Sequence, residues 1–239
     1  MRKAHLKIYK SRKHAAVTLG IVVLPFLFLL VFSRYANIAA GTLFMDIGSS
    51  FMRLTIAYGI SVALAWVLAV SFYRGRRVKI ALPAFDVLQS FPTFAMLPLA
   101  VIFLGRSNST VIFFLVVTVM WPILFSIISS LKLIKREWEE AVEISGMRGT
   151  RYVRHFLWPV SVPGLITGSI IGLGEGWEAL VATEIIVGMP EGLGHFFNQY
   201  SANPEITALG ITGLLLLIFS FNHLLWLPLL NRSHERMEE

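Results

Sequence analysis

Glu175, Glu178 and Glu184 share one otherwise apolar stretch of this 239-residue chain, and they are the side chains best placed to do chemistry. An ionised carboxylate at the centre of a bilayer costs about 2.5–3.5 kcal/mol on insertion scales, so each must face protein, water or an interface. Glu175 and Glu178 stand three residues apart, close to one face of a helix. That spacing suits a path-lining pair, a gate or a proton relay, and it equally suits buried acids bonded to neighbouring helices. Glu184 lies near the end of the stretch. Other chemistries find little support. Histidines 5, 14, 155, 195, 223 and 234 are scattered, and no His-Glu-x-x-His zinc motif occurs. With no cysteine, thiolate metal sites, disulfides and cysteine nucleophiles are excluded. There is no Gly-x4-Gly-Lys-Ser/Thr phosphate loop, nor any Gly-Lys pair, so the chain has no such nucleotide-binding motif of its own.

The elements that must position these acids are set by composition. The chain is 56% hydrophobic and 15% charged, with a mean hydropathy of +0.70. A soluble domain carries about a quarter charged residues. A bilayer-spanning helix needs about 20 mainly apolar residues. Six stretches qualify: Ala15–Phe32, Leu54–Tyr73, Pro83–Leu104, Thr110–Leu131, Pro163–Val187 and Ile206–Leu230. They are too long for barrel strands and show no alternation of period two. The first is longer than the core of a cleaved signal peptide and is expected to stay as an anchor. The third contains Asp86, Gln89, Ser90, Thr93, Pro92 and Pro98, polar groups and backbone breaks that can line a cavity. The sixth carries Asn222 and His223 as candidate polar glue, with Trp226 as an interface anchor.

The net charge of +7 would suit nucleic acid in a soluble protein, but its distribution points to a membrane. Eighteen of the 21 Lys and Arg residues fall in segments 2–13, 74–79, 132–154 and 232–236, which alternate spans place on one side. Only Arg34, Arg53 and Arg106 fall on the other. The positive-inside rule then sets both termini in the cytoplasm. The expected organisation is a basic tail over 1–14, a transmembrane domain over 15–231 and a short tail over 232–239. Two loops are long, 132–159 inside and 188–205 outside.

Segment 132–159 is too regular for a simple connector. Trp138, Ala141, Val142 and Ser145 recur at helical spacing on one mildly apolar face, with Glu137, Glu140 and Glu143 on another. Gly146 is placed to end that helix, Thr150 to cap a second through Phe156, and Pro159 and Pro163 to bracket the return into the membrane. Along the fifth span Gly164, Gly168, Gly172 and Gly176 recur every fourth residue, leaving a groove for close helix packing within the chain or between subunits.

The run Glu140-Ala141-Val142-Glu143-Ile144-Ser145-Gly146, followed by Phe156-Leu157-Trp158-Pro159, resembles the EAA loop of binding-protein-dependent ABC-importer permeases. Glu140, Ala141, Gly146 and Pro159 fall on motif positions. Val142, Phe156 and Trp158 depart from it but stay apolar. The resemblance extends over about residues 46–230. Leu88-Gln89-Ser90-Phe91-Pro92-Thr93, Trp121-Pro122-Ile123-Leu124, Val181-Ala182-Thr183-Glu184 and Gly192-Leu193-Gly194 are similar to the nitrate/sulfonate/taurine/bicarbonate branch.

That resemblance implies an all-α membrane protein with six transmembrane helices and a cytoplasmic coupling-helix loop, the type I ABC-importer permease architecture, in a prokaryotic inner membrane. It implies a non-catalytic subunit without a cofactor of its own, since ATP and Mg would serve a cytoplasmic ABC ATPase dimer docked on Glu140, Ala141, Val142, Gly146 and Pro159. It further implies a second permease copy, an external solute-binding protein delivering to segment 188–205, lipid around the spans, and a small anion or sulfonate-like cargo. Gln89, Ser90, Thr93, Glu175 and Glu178 are the candidate pathway residues. The alternatives are a self-sufficient secondary transporter or channel built on Glu175 and Glu178, and an intramembrane enzyme. No internal symmetry or nucleophile–base constellation supports either.

Overall fold

Long apolar runs can satisfy their backbone groups in a membrane only by coiling into helices, and among the described residues of the computed structural model there are helices and no strands. The structure describes residues 2–226, 228 and 229, with side chains from residue 18 onward. The six basic side chains expected over residues 2–13, the tail over 232–239 with Arg232 and Arg236, and the expected end of the last span at Leu230 lie outside these.

Helix α1 covers Arg2–Tyr35, α2 Ala40–Phe72, α3 Arg76–Gln89, α4 Leu97–Leu104 and α5 Asn108–Lys132. Then follow α6 at Arg136–Ile144, α7 at Gly149–Tyr152, α8 at Trp158–Val187, α9 at Leu193–Gln199 and α10 at Pro204–Phe221. Five helical runs are long and apolar enough to cross a membrane, and a sixth is made if α3 and the segment Thr93–Leu104 are counted together.

Three expected boundaries change. The third span is not one helix over Pro83–Leu104 but two pieces bent by 68°. Proline disfavours helical geometry in the residue before it and donates no hydrogen bond, so Phe91-Pro92 ends one helix and Pro98 enters the first turn of the next. The second span starts 14 residues before Leu54, because Asp46 and Arg53, which interrupt the apolar run, are buried at 8% and 4% exposure against protein. Arg53 is therefore not a loop cation. The short helix expected from Thr150 is continuous with the fifth span: one helical run extends over Gly149–Val187. Arg148, extended at φ −140°, occupies its N-cap rather than Thr150. Pro159 and Pro163 lie inside the run, and the turn before Pro159 widens to π-helix over Val153–Leu157. Such a bulge makes room for the ring and the missing donor.

The core is α5 packed between α2 and α8. The four-residue glycine repeat of α8 faces α5. A Cβ on Gly168 would stand 2.6 Å from the Ile123 Cα, and one on Gly172 2.9 Å from the Val119 carbonyl oxygen. The stripe is thus a packing groove within the chain, and the two backbones meet along it. Tyr58 Oη and Ser169 Oγ share a hydrogen bond of 2.9 Å, and Trp66 Nε1 donates to Ser161 Oγ at 3.0 Å, which pins α2 to the same helix. Helices α1 and α10 pair separately, where the buried Ser220 hydroxyl donates to the Ile21 carbonyl at 2.5 Å. Trp226 is no interface anchor: it is 5% exposed and meets Tyr58 edge-on in the core.

Candidate functional site

The helix α6 ends as its sequence requires. Gly146 takes φ 66°, a conformation costly for side chains with a Cβ. Its N–H donates to the Glu143 carbonyl, and the Met147 N–H reaches back to Val142. This pair of bonds closes the C-terminus as a Schellman motif. The surface the helix leaves uncovered carries large apolar groups among its charges: Trp138 is 46% and Ile144 88% exposed, and Ala141 is exposed with Glu137, Glu140 and Glu143 beside them. Val142 is half-buried. Glu140 is exposed, and among the described residues its ion pair is with Arg136 of its own helix, at 2.8 Å. The acid that ties α6 to the membrane helices is Glu139, 3.1 Å from Arg74 at the end of α2. Nothing in the motif marks Glu139, and the basic cluster after α2 hides Arg74 among equals.

A second feature is an open cavity of about 630 Å³ between the broken third span, α5 and α8. Gln89, Thr93, Thr118 and Ser126 give it amide and hydroxyl groups, Phe94, Trp121 and Phe125 aromatic walls, and Glu175 a carboxylate. The break at Pro92 makes the space, since a straight helix there would carry Gln89 and Thr93 on past α5. Of the five candidate pathway residues the structure brings Gln89, Thr93 and Glu175 together. Ser90 is outside the lining; its hydroxyl turns back to the Asp86 carbonyl at 2.8 Å. Glu178 is also outside it, exposed one turn closer to Gly188. The pair Glu175 and Glu178 is therefore not a joint lining element. Thr118, Phe125 and Ser126 carry no charge and look like ordinary span residues in sequence, which is why they escape notice there, and Trp121 is marked only by its place in a family-like run.

The third feature lies at the Val187 end of α8. Glu184 is fully buried, and Arg53 Nη1 donates to its Oε1 at 2.6 Å. Ser50 Oγ donates to the same carboxylate at 2.8 Å, and the Gly194 N–H donates to Oε2 at 2.8 Å. Arg53 further donates to Asn108 Oδ1 at 2.7 Å and to the Glu191 carbonyl at 3.0 Å. Asp46 accepts from the Gly192 N–H at 2.8 Å, and Ser50 from the Leu193 N–H at 2.7 Å. Gly192 has no room for a side chain: a Cβ would stand 2.6 Å from Arg53 Nη1. These contacts clamp the segment before α9 onto α2 and α8, a structural rather than a path-lining arrangement. Asp46, Ser50 and Arg53 recur at i, i+4 and i+7, so one polar face of a helix was present in the sequence. Among the described residues no cluster of His, Asp and Glu side chains is arranged to hold a metal ion.

A set of spanning helices with a polar cavity at a broken helix and an uncovered amphipathic loop helix defines a membrane transport component. Residues 61–227 match the binding-protein-dependent transport system inner membrane component family, and the chain belongs to it. It is 29% identical over 180 residues to the nitrate import permease protein of a Synechocystis species, covering 72% of this chain and 65% of that protein. It is 26% identical over 171 residues to the bicarbonate transport system permease protein of Synechococcus elongatus, covering 67% of this chain and 62% of that one. With the taurine transport system permease protein of Escherichia coli it shares 28% identity over 151 residues, 61% of this chain and 53% of that protein. The chain thus spans 62–65% of the length of the nitrate and bicarbonate relatives.

Proposed function

We propose that this chain is the transmembrane subunit of an ATP-driven importer, forming half of a solute pathway and taking its energy from a separate cytoplasmic ATPase through Glu140–Gly146. The observation that carries this reading is the mechanical continuity between the uncovered face of α6 and the cavity. Only residues 145–148 separate the end of α6 from the helical run Gly149–Val187, which continues to Glu175 on the cavity wall. A displacement of α6 by a docked protein is passed to that wall along one continuous helical run, because packed helices shift together. The Arg74–Glu139 pair couples the same displacement to α2.

Trp138, Ala141 and Ile144 form the surface offered to the ATPase, and ATP and Mg act there, in the partner. A second, identical copy of the chain supplies the other half of the pathway. Segment 188–205, held rigid by the Arg53–Glu184 clamp, receives an external solute-binding protein. Both termini lie in the cytoplasm, as the charge distribution requires. The nitrate, bicarbonate and taurine named for the relatives support a small anion or sulfonate-like solute as cargo.

The test is co-purification. A tagged wild-type chain taken from its native membrane is expected to bring an ATP-hydrolysing subunit with it. Ala141→Asp puts an unpaired charge into the docking face, which costs several kcal/mol once desolvated. It is expected to lower the recovered ATPase activity by more than about tenfold while leaving the chain folded, since position 141 is exposed. Purification of the wild type without any ATPase, or equal recovery with Ala141→Asp, overturns the reading.

A further inference from the structure

We infer that the cavity between the broken third span, α5 and α8 takes a solute that presents a protonatable nitrogen, an organic ammonium or amino-heteroaromatic group, in preference to a simple oxyanion. The inference rests on the pathway reading above but departs from its cargo: of the small anions and sulfonate-like solutes proposed there, it keeps only those that also carry a cationic nitrogen. Its ground is the chemistry of the wall. Glu175 is the one charged side chain lining the cavity among the described residues, and no Lys, Arg or His lines it. An oxyanion entering there would meet a carboxylate and no countercharge. The nearby charges point the same way. The Gln89 amide on the wall donates to Asp86 at 2.9 Å, which holds a second carboxylate at its back, and Glu178 lies one turn along α8.

The apolar part of the wall fits the same ligand. Trp121 and Phe125 stand with ring centroids 6.4 Å apart and interplanar angle 32°, and Phe94 lines the same cavity from the other side of the helix break. Aromatic faces attract cations through the ring quadrupole, most strongly where water is excluded, and tryptophan is the best of them. Thr118, Thr93 and Gln89 supply neutral partners that fix orientation without adding charge. A carboxylate and aromatic faces lining one cavity suit an ammonium or a flat N–H donor. Nitrate or bicarbonate would instead call for a guanidinium, an ammonium or a nest of backbone N–H groups. If the cargo also carries an acidic group, as an amino-sulfonate does, that end lies away from Glu175.

The natural absence of cysteine makes the test direct. Thr118→Cys, and separately Ser126→Cys, each give one thiol on the cavity wall of the full chain in membranes. Each is reacted with a cationic trimethylammonium-ethyl methanethiosulfonate and with its anionic sulfonatoethyl counterpart, and the rates are normalised to a free thiol. The cationic reagent is expected to react at least about tenfold faster, as a cleft whose charge is of one sign focuses opposite charge. Adding Glu175→Gln is expected to remove most of that preference. Equal rates, a preference for the anionic reagent, or a preference unchanged by Glu175→Gln overturns the inference and leaves the pathway reading standing. Failure of both reagents at both positions means the cavity is closed to water-borne solutes, and then the pathway reading fails with it.

Discussion

Glu184→Ala is expected to destabilise the chain by about 3–5 kcal/mol, the cost of leaving a buried charge without its partner. Three donors lose their acceptor at once: the Arg53 guanidinium, the Ser50 hydroxyl and the Gly194 N–H. Arg53 is 4% exposed and, among the described residues, keeps as countercharge only the half-exposed Glu191 carboxylate, 3.6 Å from its Nη2, so most of its compensation is lost. Glu184→Gln keeps one carbonyl acceptor but no charge, so its loss is smaller and in the same direction. Thermal unfolding of the purified chain in detergent reads both. Arg53→Met combined with Glu184→Leu removes both charges together and should recover stability relative to Glu184→Ala, because apolar replacement of a whole buried pair is often neutral. A loss below about 1 kcal/mol for Glu184→Ala would mean that the clamp is not what holds the segment before α9.

Gly168→Leu is expected to be comparably damaging for a steric reason. The new Cβ would stand 2.6 Å from the Ile123 Cα and 2.8 Å from the Pro122 carbonyl oxygen, both backbone atoms of α5. A rotamer change cannot relieve this, so α5 and α8 must separate along their length. Overpacking of this kind costs about 1–3 kcal/mol when neighbours can adjust and more when they cannot. Gly174→Ala is the internal control, since nothing lies within 4 Å of its added Cβ. The expected result is a large fall in unfolding temperature for Gly168→Leu and none for Gly174→Ala. Equal effects would show that the glycine repeat matters for helix propensity and not for contact.

How far the sequence could be read depended on the physics each residue answers to. Span number and the amphipathic helix over 136–144 come from local hydrophobic pattern, and a helix needs no distant partner to show its period. Gly146 was legible for the same reason, as a stop signal fixed by its own backbone. The start of α2 was not. Asp46 and Arg53 look like membrane-flanking charges until Gly192 and Glu184 are brought to them across more than 130 residues. The direction of the glycine stripe likewise needed the position of α5. Gln89, Thr93 and Glu175 stood out because polarity in an apolar run is conspicuous. Phe125 did not, and Trp121 did so only through its family-like run and not as a wall residue, because an aromatic in a membrane helix is the ordinary case. The break at Pro92 fell between these extremes: the prolines were visible, but a kink and a 68° bend leave the same trace in sequence.

The proposal that energy enters at α6 is tested most directly by cross-linking from its uncovered face. Ile144→Cys introduces the only thiol of the chain at a position 88% exposed, and Ile102→Cys, on α4 and 75% exposed, serves as the control. Native membranes carrying either variant are treated with a short bifunctional reagent, and adducts are probed with azido-ATP. Position 144 alone is expected to form an adduct with a polypeptide that binds ATP, and vanadate trapping is expected to change its yield. If position 144 reacts with a small maleimide yet forms no adduct with a nucleotide-binding polypeptide, the chain does not receive its energy there.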